Sequence, residues 1–441
     1  MTTTINNKHN KLNVPNKQEQ NQTCLDSTER EGLSPKGNVP NLRFPEFQGE
    51  WEKCTFDKIA QYKKGPFGSA LKKDIFVPQS KDTIKVYEQQ NAIKKDWTLS
   101  RYYITKGYFN SHMKQFVAKA GDLIVSCAGT IGEIYELPQD AEEGVFNQAL
   151  MRVQVNDEAV NKEIFITVFS SMIDKFSKIY SNGSAIKNIP PFADLKKTQV
   201  FLPCKEEQKK IAKLLALLDE RIATQNKIID KLQSLIKGLN DFLYTQYGGE
   251  VLTSFAELGT SYSGLSGKSA QDFGSGKPFI TYLNVYSNNV IKENDFQYVA
   301  IKDDEKQNVV KYGDVLFTLS SETPEEVGVG SVYLGKEKVY LNSFCFGIHI
   351  TNTEVAFPPY LSYYVSLTAF RKFIYPYAQG STRFNLCKAD FEKASIKLPT
   401  LADQKRIYSI LSHIDNKIIT ERQMLDLYNS QKQYLLRQMF I

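Results

Sequence analysis

The sequence predicts an α+β fold built as a pseudo-two-fold repeat, in which two tandem α/β domains are each followed by a long helix. Two observations predict it. Residues 180–188 recur as 377–385, and residues 203–222 recur as 399–418, about 196 residues apart. A 4-3-4-3 apolar spacing follows each copy and is typical of a long helix with one apolar seam. Because solenoid units run roughly 20 to 50 residues, this repeat is a duplicated domain with its trailing helix.

The domain boundaries follow from these repeats. A polar leader, 1–40, is rich in Asn, Lys, Thr and Gln, has no signal-peptide core and is expected to be disordered. Domain one is expected at 41–202 and the first long helix at 203–247. Domain two is expected at 248–398 and the second long helix at 399–441.

The composition predicts a soluble protein of the cytoplasm. The 441 residues, 41% hydrophobic and 24% charged, suffice for two or three domains. No run of roughly 18 apolar residues occurs, so no membrane span is expected. The six cysteines show neither C-x-x-C spacing nor a neighbouring histidine. This usage predicts a reducing compartment and no zinc site.

Charge is unevenly distributed along domain one. Residues 53–119 contain fourteen Lys or Arg against five Asp or Glu, whereas residues 120–163 contain two against nine. This polarity predicts a cationic face that meets phosphates and an acidic face kept away from them. Chance clustering on a solvated surface is the alternative.

Strands dominate domain one, and a helix precedes the loop that is repeated. β-Branched and aromatic runs predict strands at 84–87, 122–126, 131–135 and 149–155. Apolar residues at helical spacing predict a helix over 163–180. Domain two repeats this order, with Lys311-Tyr-Gly-Asp in place of Lys119-Ala-Gly-Asp and Gly264-Leu-Ser-Gly in place of Gly65-Pro-Phe-Gly.

Each long helix carries an apolar seam. In the first helix the seam is Ile211, Leu215, Leu218, Ile222, Gln225, Ile229, Leu232, Ile236 and Leu239, and it continues to Leu243. In the second it is Ile407, Leu411, Ile414, Ile418, Leu425 and Leu435, with Glu421 and Lys432 interrupting it. Polar residues at equivalent seam positions, Gln225 and Glu421, favour one register at some loss of stability. Two helices that each pack only on their own domain are the alternative.

The chain contains no motif that predicts catalysis. Residues 264–269 resemble the end of a phosphate-binding loop, but Tyr262 stands where that motif requires glycine. Residues 188–192 resemble the Asn-Pro-Pro-Phe loop of adenine methyltransferases, but an Ile interrupts it and no glycine-rich cofactor loop follows a strand. The four histidines lie far apart. No catalytic residue and no metal ligand is therefore predicted.

The chain resembles the specificity subunits of type I restriction–modification systems. Residues 42–51, Leu-Arg-Phe-Pro-Glu-Phe-Gln-Gly-Glu-Trp, resemble the opening segment of many such subunits. Residues 202–211 and 398–407 both resemble the family's Leu-Pro-x-x-x-Glu-Gln-x-x-Ile signature, with Asp403 in place of the usual Glu. The resemblance covers roughly residues 41 to 441.

The resemblance implies two target-recognition domains that each read one half of a split, asymmetric DNA site. The two helices would pair as an antiparallel coiled coil that sets the unread gap. The implied partners are double-stranded DNA, two methyltransferase (modification) subunits and restriction/translocase subunits. No membrane is among the implied partners. Those partners would bind S-adenosylmethionine for adenine-N6 methylation, as well as ATP and Mg. The resemblance therefore implies that this chain is non-catalytic and binds no cofactor.

The candidate DNA-facing residues are polar and cationic residues near the glycine turns and in the loops that follow the helices. Gln and Asn suit adenine, whereas Lys and Arg suit guanine or phosphate. In domain one the candidates are Lys63, Lys64, Ser69, Lys72, Lys73, Gln89, Gln90, Asn91, Lys94, Lys95, Ser181, Asn182, Ser184 and Lys187. In domain two they are Ser266, Lys268, Ser269, Asn284, Ser381, Thr382 and Arg383.

Two other classes of protein compete with this interpretation. One is a scaffold without nucleic-acid binding, in which two modules on a coiled-coil spacer clamp protein partners. A salt titration of duplex binding separates it, because only phosphate contacts make affinity fall steeply with salt. The other is a fused restriction enzyme with its own methyltransferase, for which the chain lacks the required domains.

Overall fold

The computed structural model describes residues 37–180 and 192–441, which form two compact units. One unit comprises the described residues up to Asp219 together with Ser430–Ile441, and the other comprises Glu220–Asn429. The predicted leader, 1–40, lies outside the described residues except for its last four positions. Within the described ranges, no helix is long and apolar enough to cross a membrane.

The first unit is a mixture of short strands and helices. Its described strands are β1 Glu52–Thr55, β2 Ala60–Lys64, β3 Thr83–Tyr87, β4 Tyr102–Thr105, β5 Val117–Ala118, β6 Leu123–Ser126, β7 Ile134–Glu136, β8 Gly144–Phe146, β9 Leu150–Val155 and β10 Gln199–Leu202. Its helices are α1 Phe56–Ile59, α2 Gln89–Lys94, α3 Lys106–Tyr108, α4 Lys162–Tyr180, α5 Phe192–Lys197 and the start of the long helix α6 Lys205–Tyr247.

Three sheets organise the first unit. An antiparallel sheet has the order β2-β9-β6-β7, a second has the order β4-β3-β8-β5 with β3 and β8 parallel, and β1 pairs with β10. All four residues of β6 are buried, and α4 packs Phe165 and Phe169 against the same core as Phe56. The predicted strand at 131–135 begins only at Ile134, because Gly132 has a left-handed φ of 83° that interrupts extended backbone.

The second unit repeats this composition. Its described strands are β11 Val251–Thr253, β12 Gly259–Ser263, β13 Phe273–Ile280, β14 Gln297–Val299, β15 Val315–Thr318, β16 Ser320–Ser321, β17 Gly330–Val332, β18 Tyr340–Leu341, β19 Cys345–Ile350, β20 Ala378–Gln379, β21 Phe384–Leu386 and β22 Ile396–Leu398. Its helices are α7 Phe255–Leu258, α8 Tyr282–Ser287, α9 Pro358–Tyr364, α10 Thr368–Ile374, α11 Lys388–Lys393 and most of α12 Leu401–Met439.

The sheets of the second unit follow the order of the first. The antiparallel sheet β12-β19-β15-β17 corresponds to β2-β9-β6-β7, and β11-β22 corresponds to β1-β10. The sheet β14-β13-β18 repeats the antiparallel pair and the parallel pair of β4-β3-β8. The predicted α+β duplication is therefore confirmed at the level of strand order.

One aspartate turn is the same in both units although its outer partners differ. Asp122 accepts a hydrogen bond from the backbone N–H of Lys119 at 3.0 Å, and Asp314 accepts one from Lys311 at 2.8 Å. The second oxygen of Asp122 accepts from Gln154 at 2.7 Å. Asp314 instead contacts the His349 ring at 2.9 Å and accepts from the Tyr262 hydroxyl. The repeated backbone thus tolerates different side-chain partners.

The signature glutamine attaches each long helix to its own unit. Gln208 accepts from the backbone N–H of Asn161 at 2.7 Å and donates to Pro203 O at 2.9 Å. Gln404 accepts from the N–H of Phe357 at 2.8 Å and donates to Pro399 O at 2.9 Å. Both glutamines are buried, at 2% and 0% exposure. In each copy the side chain therefore bonds the loop before α4 or α9 to the beginning of α6 or α12.

The helices follow the predicted seam, and their contacts run antiparallel. Every seam position from Ile211 to Leu243 and from Ile407 to Leu435 is buried or half-buried. In the second unit, Gln225 donates to Glu421 O at 3.1 Å and also to its carboxylate. In the first unit, Lys432 pairs with Asp219. The residue number falls on α12 as it rises on α6, which confirms the antiparallel coiled coil.

Candidate nucleic-acid interface

The glycine turn after the first strand of each antiparallel sheet lies directly against an asparagine turn. A Cβ atom on Gly65 would lie 2.0 Å from the backbone oxygen of Asn147. A Cβ atom on Gly264 would likewise lie 2.0 Å from the backbone oxygen of Asn342. Any larger residue would push these backbones apart, so glycine is required at both places. The sequence match of the two turns therefore reflects a shared close approach of the backbone.

The lysines around the first glycine turn differ in solvent exposure and in side-chain contacts. Lys64, Lys72 and Lys73 are exposed, and no ion pair found among the described residues includes them. Lys63 is half-buried, donates to Gln115 at 2.8 Å and lies 5.1 Å from the Phe116 ring centre. Ser69 is exposed beside them. Three lysines and one hydroxyl thus face solvent from one loop.

The predicted group Gln89 to Lys95 forms α2 and its C-terminal cap. Gln90 and Lys94 are exposed. Gln89 is half-buried and donates to the backbone oxygens of Ala128 and Thr130, the latter at 2.9 Å. Lys95 has a left-handed φ of 52° and pairs with Glu133 at 2.9 Å. Only Gln90 and Lys94 of this group combine exposure with a free side chain.

Two of the asparagines predicted to face DNA, Asn91 and Asn284, are buried in this structure. Asn91 is 2% exposed and donates to the backbone oxygens of Asp96 and Leu99 at 2.9 and 2.8 Å. Asn284 is also 2% exposed and donates to Lys292 O at 2.8 Å. Each asparagine fixes the loop after a short helix, so its amide has no free edge for a base.

The second glycine turn carries less free charge than the first. Lys268 is almost buried, pairs with Glu305 and donates to Ala300 O at 2.6 Å. The hydrogen bond from Lys268 holds the pKa of Glu305 below its usual value. Ser269 is exposed but binds Asp272 at 2.8 Å, and Ser266 is exposed while its N–H donates to Gln307. The charge of Lys268, one of the predicted DNA-facing residues, is therefore compensated within its own unit.

The loop after α10 presents free polar groups in the second unit. Ser381, Thr382 and Arg383 are exposed in the loop between β20 and β21. Strand β21 lies between β20 and β16 in its sheet. The Arg383 guanidinium lies 5.8 Å from the ring centre of Phe344. The loop therefore meets the asparagine turn. In the first unit, the candidates Ser181, Asn182, Ser184 and Lys187 lie outside the described residues.

Two exposed aromatic residues near these turns were missing from the predicted set. Phe67, on the first glycine turn, is 89% exposed, and Phe344, on the second asparagine turn, is 55% exposed. Prediction from charge and hydrogen-bonding type overlooked them. An aromatic residue between two glycines, as in Gly65-Pro-Phe-Gly68, was the available signal.

The described residues show neither a metal cluster nor a disulfide. Within 37–180 and 192–441 no group of three or more His, Cys, Asp or Glu side chains could hold a metal ion. The five cysteines in these ranges, Cys54, Cys127, Cys204, Cys345 and Cys387, are free thiols. Burial raises the pKa of Cys127 to about 12. This thiol is therefore protonated at neutral pH and unreactive.

Comparison with known proteins gives one family. The family described as type I restriction modification DNA specificity domain matches residues 48–234 and 259–427. The chain is 26% identical over 421 residues to a protein of Methanocaldococcus jannaschii described as a type I restriction enzyme MjaX specificity subunit. The alignment covers 83% of this chain and 92% of that protein.

Two further comparisons extend over most of the chain. The MjaVIII type I restriction enzyme specificity subunit of the same organism is 22% identical over 407 residues, or 86% of this chain and 89% of that protein. A chain from a solved structure on complex assembly and conformational transition of the type I R-M system aligns with a TM-score of 0.56 at 15% identity. It covers 88% of this chain and 96% of that chain, and this likeness concerns the fold.

Proposed function

This chain belongs to the family of type I restriction–modification DNA specificity domains, and on that premise we propose that it is the sequence-reading subunit of such a system. Residues 41–202 and 248–398 act as target-recognition domains. Each reads one half of a bipartite, asymmetric DNA site. Residues 203–247 and 399–441 form the spacer helices, which set the gap between the half-sites and dock the modification subunits.

The observation that carries this proposal is a repeated frame with different exposed loops. Gly65 and Gly264 make the same close approach to Asn147 and Asn342. Between these shared points the surface residues differ, since Phe67 stands where the second copy has Ser266. Base-edge contacts specify sequence while the frame only positions the loops. Two different loop sets on one frame suit two different half-sites.

The free cations supply the phosphate contacts in this proposal. Lys64, Lys72, Lys73 and Lys94 are exposed in the first unit, as is Arg383 in the second. Each phosphate neutralised releases counterions and steepens the salt dependence of binding. Ser69, Gln90, Ser381 and Thr382 are the exposed uncharged candidates for base edges. Ser181, Asn182, Ser184 and Lys187 belong to the set on sequence alone.

The spacer role follows from the length and burial of the helices. A helix of about 40 residues is about 60 Å long at 1.5 Å per residue, and α6 continues without a break from Lys205 to Tyr247. From Glu220 to Leu235 only the seam positions are shielded from solvent. Such a stretch is supported by its partner helix alone and suits a spacer of defined length.

The outer faces of the helices offer a docking surface for the modification subunits. Ile228, Leu235 and Phe242 recur every seven residues on α6 and are 38%, 52% and 60% exposed. Leu427 on α12 is 64% exposed. Apolar rows at heptad spacing suit the apolar face of another helix. Two modification subunits are proposed because the chain carries its frame twice.

The chemistry belongs to the partners in this proposal. The modification subunits bind S-adenosylmethionine and methylate adenine N6, and the restriction/translocase subunits use ATP and Mg. This chain supplies the DNA address and is not an enzyme by itself. Methyl transfer to duplex DNA by the purified chain alone would contradict this assignment.

Adenine methylation across the genome tests the proposal directly. Cells that carry the modification subunits with and without this chain are compared, and a bipartite methylated motif should appear only with the chain. Purified complex should also bind the motif duplex with a steep salt dependence. Replacing Lys64, Lys72 and Lys73 by Ala should reduce the slope of log affinity against log salt by up to about three.

A matched control uses lysines of α6 in place of the lysines of the glycine turn. Lys227, Lys231 and Lys237 are exposed on α6, and their replacement by Ala should leave the salt slope unchanged. Affinity that does not depend on salt would favour the protein-scaffold alternative. A methylated motif that persists without the chain would refute the proposal outright.

A further inference from the structure

Phe67 is the most exposed large apolar side chain among the described residues, at 89%. It lies two positions after Gly65, on the turn that approaches Asn147. A phenylalanine ring gains substantially from leaving water, yet this ring contributes nothing to the core of its unit. Its exposure is therefore better explained by a partner than by folding.

The turn that carries Phe67 is held firmly. The Phe67 carbonyl accepts from the Ala70 N–H at 2.9 Å, and the Tyr108 hydroxyl donates to the Ala70 carbonyl at 2.8 Å. Leu71, the next residue, is only 7% exposed and anchors the loop in a small core. A ring on an anchored turn loses little conformational entropy when it binds, which favours contact with a partner.

The second unit presents one exposed ring at the same pair of turns, but from the other turn. Phe344 lies two positions after Asn342, just as Phe67 lies two positions after Gly65. The reciprocal positions hold small residues, namely Ser266 on the second glycine turn and Ala149 on the first asparagine turn. Each unit thus presents a single phenylalanine where its two turns meet.

Cationic residues accompany both rings, near Phe67 in the sequence and near Phe344 in space. Lys64, Lys72 and Lys73 surround Phe67 in sequence and have no carboxylate partner in the described part of the chain. The Arg383 guanidinium lies 5.8 Å from the Phe344 ring. Lysine is depleted at the centre of protein–protein interfaces, whereas phosphates on both sides of a groove attract it. This setting favours a nucleic acid as the partner.

We propose that Phe67 and Phe344 are the apolar base-contacting residues of this protein, one for each half-site. The inference rests on the proposed function. Each ring meets the apolar surface that bases offer, either the C5-methyl group of a thymine in the major groove or the face of a partly unstacked base. A surface of a modification subunit is the alternative partner and is tested below as an outcome.

The two units provide matched substitutions. Phe67→Ser introduces the residue of the reciprocal turn in the second unit, and Phe344→Ala introduces that of the first, so each frame already tolerates the change. Leu252→Ser serves as the control, because Leu252 is 67% exposed on β11 and belongs to neither the glycine turns nor the asparagine turns. Complexes of each chain with the modification subunits are titrated with duplexes that carry the mapped methylation motif.

Phe67→Ser and Phe344→Ala should each weaken duplex binding about tenfold, because the loss of one base–aromatic contact lowers duplex affinity by about that factor. The salt slope should stay unchanged, since no phosphate contact is lost. Phe67→Ser should relax sequence preference in one half-site only, and Phe344→Ala in the other. Leu252→Ser should match the wild type.

Two modified duplexes distinguish the sources of the contact. Uracil in place of thymine removes the C5-methyl group, and a methyl contact predicts a matching loss with the wild type but none with Phe67→Ser. 2-Aminopurine is placed at each position of the half-site in turn. Its fluorescence should increase at one position if the ring unstacks a base, and this increase should be absent with Phe67→Ser. Tenfold weaker binding with neither signal would overturn the base contact.

The outcomes separate this inference from the function on which it rests. A wild-type complex without sequence-specific binding refutes the proposed function. Specific wild-type binding that survives in both phenylalanine variants refutes only the inference. Loss of modification subunits from the Phe67→Ser complex, seen by sedimentation before DNA is added, would assign the ring to a protein interface and overturn the proposal.

Discussion

Arg43 donates two hydrogen bonds to the carboxylate of Glu207, from Nε to Oε1 at 2.8 Å and from Nη2 to Oε2 at 2.7 Å. The Glu207 side chain is 1% exposed, so its charge is compensated inside the first unit. These hydrogen bonds raise the pKa of Arg43. At the position equivalent to Glu207, the shorter Asp403 accepts from the Thr400 hydroxyl at 2.7 Å. In the described residues, the first copy of the signature thus binds an arginine at this position, whereas the second binds a nearby hydroxyl group.

Arg43→Ala should lower the free energy of unfolding of the first unit by about 3 kcal/mol, because it leaves a buried carboxylate unpaired. Chemical denaturation and hydrogen exchange over residues 42–51 measure the effect. Lys95→Ala is the control, since its pair with Glu133 is about half exposed and should contribute less than about 1 kcal/mol. Equal losses in both variants would contradict the importance of burial.

Gln404→Ala should destabilise the second unit by about 3 kcal/mol, because it leaves the Phe357 N–H and the Val355 carbonyl without their partner. Hydrogen exchange should accelerate over residues 355–361. Gln208→Ala should do the same over residues 159–165 of the first unit. If either substitution accelerated hydrogen exchange equally in the other unit, the two glutamines would not act locally.

Replacing Gln225 and Glu421 together by Leu should stabilise the helix pair by about 1 to 3 kcal/mol while weakening its register, since a polar seam pair favours specificity over stability. Thermal unfolding and cysteine crosslinking across the seam measure the two effects. A double variant that is less stable than the wild type would show that the pair acts mainly as a stabilising contact.

The stability of the helix pair should also depend on pH. Hydrogen bonds from Lys417 and then Gln225 hold the pKa of Glu421 below its ordinary value of 4.5. A lowered folded-state pKa contributes stability above the ordinary pKa and loses it as pH falls through the folded value. Glu421→Gln should therefore flatten the pH dependence of helix unfolding below about pH 4.5. An unchanged acid profile would exclude this contribution.

Deleting one heptad from α6, Ile229–Leu235, should shorten the spacer by about 10 Å while keeping the seam in phase. B-DNA rises about 3.4 Å per base pair, so the unread gap should shrink by up to about three base pairs with both half-sites unchanged. Genomic adenine methylation reports the motif. An active variant with its gap unchanged would show that the helices do not set the spacing.

The helix register allows a matched deletion on both helices. Gln225 lies opposite Glu421, and the Arg221 guanidinium lies 5.3 Å from the Tyr428 ring. Removing residues 221–227 together with 421–427 therefore removes Gln225 and Glu421 as a pair, shortens both helices by one heptad and should give the clearer gap change. Ile229→Pro is the control that interrupts the helix without shortening it. This substitution should abolish recognition of the two-part site.

Replacing residues 41–200 by the matching segment of a relative should change one half of the methylated motif only. Each unit has its own core and its own glutamine attachment, so each should read its half-site independently. The reciprocal exchange of residues 248–398 should change the other half. If one exchange altered both halves together, the two domains would not be independent readers.

The predicted DNA-facing residues differ in exposure and in their contacts. Lys64, Lys72 and Lys73 are exposed. The side chains of Asn91, Asn284 and Lys268 instead bind partners within their own units. Residue type alone does not distinguish a polar side chain that faces DNA from one that holds a loop, because both need the same hydrogen-bonding groups.

The duplication, the two long helices and their seam could be predicted from the sequence, because periodic burial and repeated turns are local features of the chain. Which polar groups remain free depends instead on how the strands and helices pack. Glu305 comes to Lys268 from 37 residues away, and the backbone of Asn342 comes to Gly264 from 78 residues away. Such approaches are made by the packing of strands, and no local pattern contains them. They leave Phe67 and Phe344 facing solvent while Asn91 and Asn284 turn inward.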